Sequence, residues 1–408
     1  MGQERAIKHR SLIEETMAGV PEAKIVLQEV IVGLLEEFGV EVEGMDSGKA
    51  AYEIYKYAWG LDVLEELYDD PEVNEIRVNG PDQVVVLRNI KNERVDVKFK
   101  DNEHIKKLVT RMTMHDQGVG FNRSNPTLES MRKDGTRITA TCPPVTEDIT
   151  FVLRKHSSSV LTPEDHIRRG SMDEKVWSAL ETLVRGRANI LIAGGVGSGK
   201  TTLMRTLYSC TDPNARTIVI ESDRELQLKK QFPERDIVEL EEHSEVGRPL
   251  KMLFRTVLRY SPNIILIGEF RGQGEATEAV RACLRGHDGS MATAHFPSPQ
   301  EAVEGTGRLL IEEGLNVTPD VAAQLVASAY NVVVQMFGDS TRGAILVESI
   351  TEVVPQVTKV EYRDLIRWFP SGDDYLKGEW RQVQMPSTRL QDRLLKYGVT
   401  MPVRLKGA

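Results

Sequence analysis

The sequence predicts an α/β fold in which a largely parallel sheet is flanked by helices and preceded by a smaller α+β domain. Two patterns carry this prediction. After residue 160, apolar strand-like segments alternate with segments of helical periodicity, the order of a sheet whose strands are joined by helices. These apolar segments lie at 190–193, 217–221, 264–268, 291–295 and 332–336. Before residue 160, short alternating segments and turn residues indicate a separate mixed domain.

Polar stretches and helix-start signals set the predicted boundaries. The first 55 residues place apolar side chains at helical spacing and predict an amphipathic helical segment. A polar run of serines at 157–159 precedes the helix-start signal Thr162-Pro163-Glu164, which we take as the junction between the two main domains. We therefore predict a helical segment at 1–55, an α+β domain at 56–155, a linker at 156–163, the α/β domain at 164–355 and a carboxyl-terminal extension at 356–408.

Composition limits the class of protein. The chain has 408 residues, is 40% hydrophobic and 28% charged, and carries a net charge of −9. That charge argues against a surface that coats nucleic acid. No apolar run reaches the roughly 18 residues needed to span a bilayer, and the three cysteines are too widely separated for a C-x-x-C pair. We expect a cytoplasmic protein with reduced cysteines.

A glycine-rich loop follows the apolar segment 190–193 and precedes a predicted helix. Its glycines turn backbone N–H groups toward a phosphate, its lysine reaches the β and γ oxygens, and its first threonine supplies a hydroxyl to Mg²⁺. The spacing predicts that the protein binds a nucleoside triphosphate, and we expect ATP because the guanine-reading N-K-x-D signature is absent. The loop residues are Gly194, Gly195, Val196, Gly197, Ser198, Gly199, Lys200, Thr201 and Thr202.

Acidic residues and a histidine end three other predicted strands. The segment 264–268 runs into Gly268-Glu269 where Asp-Glu is usual, and Glu221 ends another strand four residues before Glu225. His295 ends a third. Phosphoryl transfer needs such carboxylates to hold Mg²⁺ and polarise the attacking water. By themselves they could equally be solvated acids and a structural histidine.

Four motifs follow one another along the chain: the phosphate loop, the acidic segment 221–225, the element Gly-Glu-x-Arg-Gly at 268–272 and the histidine segment 286–295. Together and in this order they resemble the motifs of the secretion ATPase superfamily. Its members are hexameric motors of type II and type IV secretion, type IV and Tad pili, and conjugation. Residues 64–80 resemble the amino-terminal domain of the Tad-pilus and conjugative branch. The absence of a tetracysteine motif argues against the type II exporter subgroup.

The resemblance implies a RecA-like ATPase domain and a role for each matching residue. Lys200 and Thr201 would bind phosphate and Mg²⁺, while Glu221 and Glu269 would share metal positioning and water activation, with the base left open. The remaining implied site residues are Arg271 of the Gly-Glu-x-Arg-Gly element, His295 as a reader of the γ-phosphate, and Arg137 and Arg154, which would close over the nucleotide. Ser222 stands where the family usually has aspartate, so the metal role rests on Glu221 or shifts to Asp223.

The functional hypothesis is a homohexameric ATPase, peripherally associated with the cytoplasmic membrane, that works against a polytopic inner-membrane platform protein. It would power pilus assembly, secretion or conjugation, with nucleic acid contact indirect or absent. A DNA translocase or helicase is the alternative, although no basic, aromatic strand-binding cluster is evident. A non-hydrolysing nucleotide switch is a third, disfavoured by the paired acids.

Overall fold

The structure is a computed structural model that describes residues 2–116, 120–155, 160–222, 224–242, 250–270 and 275–401. The chain divides into two compact units, Met1–Ser157 and Ser158–Ala408. The helical segment predicted at 1–55 belongs to the first unit, and the extension predicted after residue 355 belongs to the second. The first half of the predicted linker, at 156–159, lies outside the described residues.

The first unit combines a helical region with one antiparallel sheet. Its helices are α1 (Gly2–Met17), α2 (Pro21–Glu37), α3 (Ser47–Ala58), α4 (Glu65–Asp69) and α5 (Asn102–Thr113), with a 3₁₀ turn at Asp62–Leu64. Its strands are β1 (Val73–Asn79), β2 (Val84–Arg88), β3 (Lys91–Val95), β4 (Thr127–Met131), β5 (Arg137–Thr141) and β6 (Thr150–Arg154). The strand order is β3-β2-β1-β6-β5-β4. The hairpin β4–β5 turns at Asp134-Gly135, as its Asp-Gly signal predicts.

The core of this unit follows the two sequence periods. Alternate residues of the strands, such as Ile76 and Leu153, are buried with Ile105 and Met112 of α5, because side chains in a strand point to opposite faces. A second, smaller cluster joins α2 to α3 through Leu27, Ile31, Leu35, Ala51 and Tyr55. The helical region therefore has its own apolar interior.

The second unit is the predicted α/β domain. Its helices are α6 (Pro163–Arg168), α7 (Glu174–Arg185), α8 (Lys200–Tyr208), α9 (Leu228–Gln231), α10 (Leu250–Val257), α11 (Glu275–Leu284), α12 (Pro299–Glu312), α13 (Pro319–Ala329) and α14 (Thr388–Lys396). Its strands are β7 (Ile190–Gly194), β8 (Thr217–Glu221), β9 (Ile237–Glu241), β10 (Ile264–Ile267), β11 (Met291–Ala294), β12 (Val332–Asp339), β13 (Ala344–Pro355), β14 (Val360–Ser371) and β15 (Asp374–Gln382).

The sheet of this unit has the order β15-β14-β13-β12-β7-β11-β10-β8-β9. Strands β12 through β9 in this order are parallel, and β13 to β15 add an antiparallel meander at one edge. Ile190 and Ile192 of β7 pack on one face, whereas Leu191 and Ala193 pack on the other. Burial on both faces explains the continuous apolar runs, and the predicted α/β class is confirmed.

Residues after 355 continue this sheet. Strands β14 and β15 pair onto β13, and Trp368 lies opposite Trp380 with ring centroids 4.4 Å apart. Helix α14 packs on the unit's core through Leu390 and Leu394. The extension, for which the sequence suggested no role, is thus part of the α/β unit.

Two helix starts in this unit, Ser298-Pro299 and Thr318-Pro319, place a hydroxyl before a proline and so predict a side-chain cap. One of the two departs from that prediction. Ser298 caps α12, its hydroxyl accepting from the backbone N–H of Glu301 at 3.1 Å. Thr318 precedes α13 in the extended conformation, but its hydroxyl makes no capping hydrogen bond. The prediction of a side-chain cap at Thr318 is therefore wrong, and Pro319 alone marks that start.

Candidate functional site

The predicted phosphate-binding loop joins the central strand β7 to helix α8. Gly197 and Gly199 have φ angles of +72° and +84°, in the left-handed region that favours glycine. A Cβ on Gly338 of β12 would lie 2.7 Å from Cα of Ser198, so the loop packs directly against that strand. The fit of the loop thus depends on a glycine outside its own motif.

The ammonium group of Lys200 lies within the curve of the loop. Lys200 is 7% exposed, and its Nζ donates to the carbonyl oxygens of Gly194 at 3.1 Å and Gly195 at 2.9 Å. It also lies 3.2 Å from Nδ1 of His295. This places a fixed positive charge beside the first turn of α8, whose amino-terminal N–H groups favour an anion.

His295 links Lys200 to Glu269. Its Nε2 lies 2.8 Å from Oε1 of Glu269, at ion-pair distance. Because an ammonium group can only donate, Nδ1 of His295 accepts from Lys200, and the ring proton of a neutral imidazole then sits on Nε2, toward Glu269. Lys200, His295 and Glu269, which were predicted from separate motifs, therefore contact one another in sequence near the ends of β7, β11 and β10.

Gly268 is required because the side chain of Glu221 occupies the adjacent space. A Cβ on Gly268 would lie 2.7 Å from Cγ and 2.9 Å from Oε1 of Glu221. Any larger residue at the end of β10, including the usual aspartate, would collide with that carboxylate. The Gly-Glu departure seen in the sequence and the acid at the end of β8 are therefore two parts of one arrangement.

Glu221 is a buried acid. It is 2% exposed, and its Oε1 accepts from the backbone N–H groups of Glu225 at 3.2 Å and Leu226 at 3.0 Å. Burial, reinforced by the negative charges of Glu225 and Glu239, raises the pKa of Glu221 from 4.5 to about 8, against the lowering effect of the two backbone hydrogen bonds. Burial therefore favours the protonated form of this carboxyl group, whereas a cation bound to it would favour the ionised form.

Thr201 and Glu225 supply further oxygen atoms here. The Thr201 hydroxyl donates to Oε2 of Glu225 at 3.3 Å, and the Arg205 guanidinium donates to the Glu225 carbonyl at 2.7 Å. Burial lowers the pKa of Arg205, opposed by the charges of Glu221 and Glu225. Glu225, a member of the acidic segment but not of the predicted metal set, and Arg205, which no motif marked, are thus additional residues of the site.

The oxygen atoms of Thr201, Glu221 and Glu225 could hold Mg²⁺ if phosphate and water supplied the other ligands. Oε2 of Glu221 is buried and makes no hydrogen bond to any described residue, which leaves one carboxylate oxygen available for a cation. Within the described part of the chain, no three His, Cys, Asp or Glu side chains form a metal site. Mg²⁺ beside nucleotides takes few protein ligands, so Thr201 and one carboxylate suffice.

Two polar residues that sequence motifs did not mark support the strand ends. The Thr293 hydroxyl of β11 donates to the carbonyl of Gly268, and Nε2 of the buried Gln335 donates to the carbonyl of Phe296 at 3.3 Å. Both lie in apolar strands. A polar residue within such a strand is the sequence feature that could have marked them, because a buried polar group needs a hydrogen-bond partner. They hold the peptide groups that flank Glu269 and His295.

Arg137 and Arg154 lie in the first unit, directly opposite each other in the pairing of β5 with β6. Their side chains therefore project from the same face of that sheet. Arg271, the fourth residue of the Gly-Glu-x-Arg-Gly element, and Asp223, the alternative metal ligand, lie outside the described residues. The roles predicted for these four residues remain predictions.

The loop that leads into β11 is held by the carboxyl-terminal helix. Asp288 accepts from Arg393 at 2.7 Å and from the Tyr397 hydroxyl at 2.8 Å. Arg393 also donates to the carbonyl of Arg187 at 3.0 Å, and Asn189 accepts from the backbone N–H of Gly289 at 2.9 Å. These contacts fix the start of β11, the strand that ends just before His295.

Comparison with known proteins is consistent with this arrangement. The model of a family described as "Type II/IV secretion system protein" matches residues 58–341. The chain is 28% identical to the type IV secretion system protein VirB11 of Brucella suis over 310 residues, which cover 68% of this chain and 84% of VirB11. It is 31% identical to the uncharacterized protein MJ0781 of Methanocaldococcus jannaschii over 245 residues, which cover 57% of this chain and 33% of MJ0781.

The chain thus spans about a third of the length of MJ0781 and most of VirB11. Among solved structures, the X-ray structure of the Legionella pneumophila ATPase DotB matches with a TM-score of 0.51 and 16% identity, over 82% of each chain. At that identity the likeness concerns the fold. It agrees with an α+β unit followed by an α/β unit.

Proposed function

The chain belongs to the type II/IV secretion system protein family, and on that premise we propose that it works as a homohexamer that hydrolyses ATP to drive pilus assembly or macromolecule export at the cytoplasmic membrane. The observation that carries the proposal is the convergence of Lys200, His295 and Glu269 at the phosphate loop. The sequence similarity to VirB11 supports a role in secretion.

Each residue of the site has a task in this proposal. Lys200 and the first N–H groups of α8 bind the β- and γ-phosphates of ATP. His295, already 3.2 Å from Lys200, exchanges that contact for one with the γ-phosphate. Bound Mg²⁺, held by Thr201 and by Glu221 or Glu225, would neutralise charge on the phosphate oxygens.

We assign the role of general base to Glu269 rather than Glu221. A base must take a proton from the attacking water, so it must be ionised and accessible. Glu221 is buried and its pKa is raised to about 8, whereas the side chain of Glu269 is 21% exposed and lies at ion-pair distance from His295. Glu221 would then position Glu225 and the end of β10.

Membrane association would be indirect. None of the helices in the described residues is both long and apolar enough to cross a bilayer. We propose that a polytopic platform protein in the membrane receives the motion. Arg137 and Arg154 would close over the nucleotide when it binds and release it after hydrolysis, which would convert turnover into domain movement.

The substitution Lys200→Ala tests the proposal. We expect it to abolish ATP hydrolysis, since the loop loses the ammonium group that would reach the β and γ oxygens. We also expect light scattering of the wild type with a nucleotide analogue to show a hexamer. Lys230→Ala, an exposed lysine of α9, is the matched control and should leave turnover unchanged. Near-normal turnover in Lys200→Ala would refute the site, and strong stimulation by single-stranded DNA would favour a DNA translocase instead.

A further inference from the structure

Arg205 is a buried cation in the helix that follows the phosphate loop. It is 5% exposed, and its neighbours Leu203, Met204 and Leu207 in α8 are buried apolar residues. Removing a guanidinium from water is costly unless hydrogen bonds and opposite charges compensate for the lost hydration. The position of Arg205 therefore calls for an explanation, and its contacts supply one.

Arg205 and Thr201 contact the same residue, Glu225, in the loop after β8. They are four residues apart in α8 and therefore lie on one side of the helix. The Arg205 guanidinium donates to the backbone carbonyl of Glu225 at 2.7 Å, and the Thr201 hydroxyl donates to its Oε2 at 3.3 Å. One side of α8 thus contacts both the backbone and the carboxylate of Glu225.

The peptide group between Glu225 and Leu226 is held at both of its polar atoms. Its C=O accepts from Arg205, and its N–H, that of Leu226, donates to Oε1 of Glu221 at 3.0 Å. Because a peptide group is planar, it cannot rotate without breaking both hydrogen bonds. Glu221 also accepts from the N–H of Glu225 at 3.2 Å. Arg205 and Glu221 together therefore fix the backbone from which the Glu225 carboxylate projects.

We propose that Arg205 is a positioning residue for Mg²⁺, because it keeps the Glu225 carboxylate against Thr201, where the hydroxyl and the carboxylate together bind the cation. This inference rests on the proposed function, in which the Thr201 hydroxyl is a ligand of Mg²⁺. Hydroxyl and carboxylate oxygens are ligands that Mg²⁺ prefers. The role requires no contact between Arg205 and the nucleotide, since Arg205 acts through Glu225.

A purely electrostatic role for Arg205 predicts the opposite result. Burial lowers the pKa of Arg205 and the negative charges of Glu221 and Glu225 oppose that effect, so the guanidinium and the two acids interact. If Arg205 only neutralised these acids, its removal would make the site more negative and would tighten Mg²⁺ binding. If Arg205 positions Glu225, its removal weakens Mg²⁺ binding. The sign of the change therefore separates the two roles.

The test measures how Mg²⁺ affects nucleotide binding by the full chain, with methylanthraniloyl-ADP as the fluorescent probe. A titration with free Mg²⁺ gives the concentration at which half of its effect on affinity is reached, and binding in excess EDTA gives the affinity without the cation. We expect Arg205→Met to raise this half-effect concentration about tenfold, as found when a residue that orients a metal ligand is removed. Its affinity in EDTA should equal that of the wild type.

Further variants show whether Arg205 acts through Glu225. Glu225→Gln should raise the half-effect concentration to a similar extent, because it removes the negative charge that attracts Mg²⁺. The double variant should be no worse than Glu225→Gln, since two residues that act through one contact are not additive. Arg205→Lys keeps the charge on a shorter side chain without the planar donor fork. It should shift the concentration in the same direction, and it replaces Arg205→Met if circular dichroism shows that variant to be unfolded.

Arg235→Met is the matched control. The Arg235 guanidinium also donates to backbone carbonyls of this helix region, those of Tyr208 at 3.0 Å and Ser209 at 3.1 Å, but at the other end of α8. It also stacks on Phe232, 4.8 Å from the ring centroid. Its removal should lower the melting temperature and leave the Mg²⁺ dependence at the wild-type value.

Three results would overturn the inference and leave the proposed function intact. The first is a half-effect concentration that is unchanged or lowered in the Arg205 variants. The second is an equal loss of nucleotide affinity with Mg²⁺ and in EDTA, which would make Arg205 a structural support of the phosphate loop. The third is an additive effect in the double variant. A wild-type chain that binds no probe at any Mg²⁺ concentration would instead overturn the proposed function, and this inference with it.

Discussion

Nε2 of His295 lies 2.8 Å from Oε1 of Glu269 while Nδ1 of the same ring lies 3.2 Å from Nζ of Lys200. The imidazole therefore bridges the phosphate loop and the acid at the end of β10. A ligand oxygen that draws Lys200 away from the ring would free Nδ1 of His295. The contact between Nε2 of the same ring and Glu269 could then change as well. In the proposed mechanism, this bridge would transmit the binding of the γ-phosphate to Glu269.

The first prediction concerns Glu269. We expect Glu269→Gln to retain nucleotide binding and to lower turnover by about 100-fold or more, since the amide cannot accept a proton from water. A fluorescent ATP analogue measures binding and phosphate release measures turnover. Glu312→Gln, an exposed acid at the end of α12, is the control. Wild-type turnover in Glu269→Gln would show that another group is the general base.

A second prediction uses pH and Glu221. Its pKa is raised from 4.5 to about 8 in the folded protein, so between these values the folded state holds a proton that the unfolded chain releases. The free energy of unfolding should therefore fall as pH rises from about 5 to about 8, by up to ~1.4 kcal/mol per unit, and then level off.

Glu221→Gln removes this contribution, and urea unfolding at a series of pH values measures the difference between the two proteins. We expect the advantage of the wild type over Glu221→Gln to shrink through this window. Glu312→Gln, at the exposed end of α12, should follow the wild-type slope. Parallel curves for wild type and Glu221→Gln would show that the carboxyl is ionised in the folded protein.

A third prediction separates function from structure at Arg137 and Arg154. The two are cross-strand partners, and like charges directly opposite each other destabilise a sheet. We expect Arg137→Ala or Arg154→Ala to slow ATP turnover without preventing ring formation and without lowering the melting temperature. Scanning calorimetry and steady-state rates report the two effects. A lowered melting temperature with wild-type turnover would make these arginines structural.

A fourth prediction concerns the carboxyl-terminal helix. Asp288→Ala removes the acceptor for both Arg393 and Tyr397, and each charge-assisted hydrogen bond is worth about 1.5–3 kcal/mol. We expect a loss of about 2 kcal/mol or more in unfolding free energy, together with slower turnover because β11 begins at this loop. Asp392→Ala, exposed on α14, should do neither. Unchanged stability in Asp288→Ala would mean that α14 does not hold the loop.

Local patterns predicted the elements on which the site is built. The strands at 190–194 and 217–221, the loop glycines and the start of α8 follow from apolar runs, glycine positions and spacing, because each of these signals acts within a few residues. Strand-end patterns marked Glu269 and His295, and the family resemblance implied their roles. Their distance from Lys200 and the tautomer of the ring needed the folded sheet.

Other features could not be predicted because their causes are distant in sequence. Gly268 appeared as a departure from a motif, and only the position of Glu221 on a neighbouring strand explains it. The same holds for Asp288, whose partners lie about 105 residues later. Such contacts depend on the order of the strands in the sheet. The hydrophobic periodicity of the sequence does not specify that order.

By itself the sequence determined that a triphosphate-binding loop sits at the end of a strand in an α/β unit, because that geometry is encoded in consecutive residues. Tertiary structure alone decided that Glu221 is buried against Gly268, that Glu225 meets Thr201 and that the chain after residue 355 belongs to the same sheet. The physical reason is that burial and side-chain contact depend on which strands become neighbours.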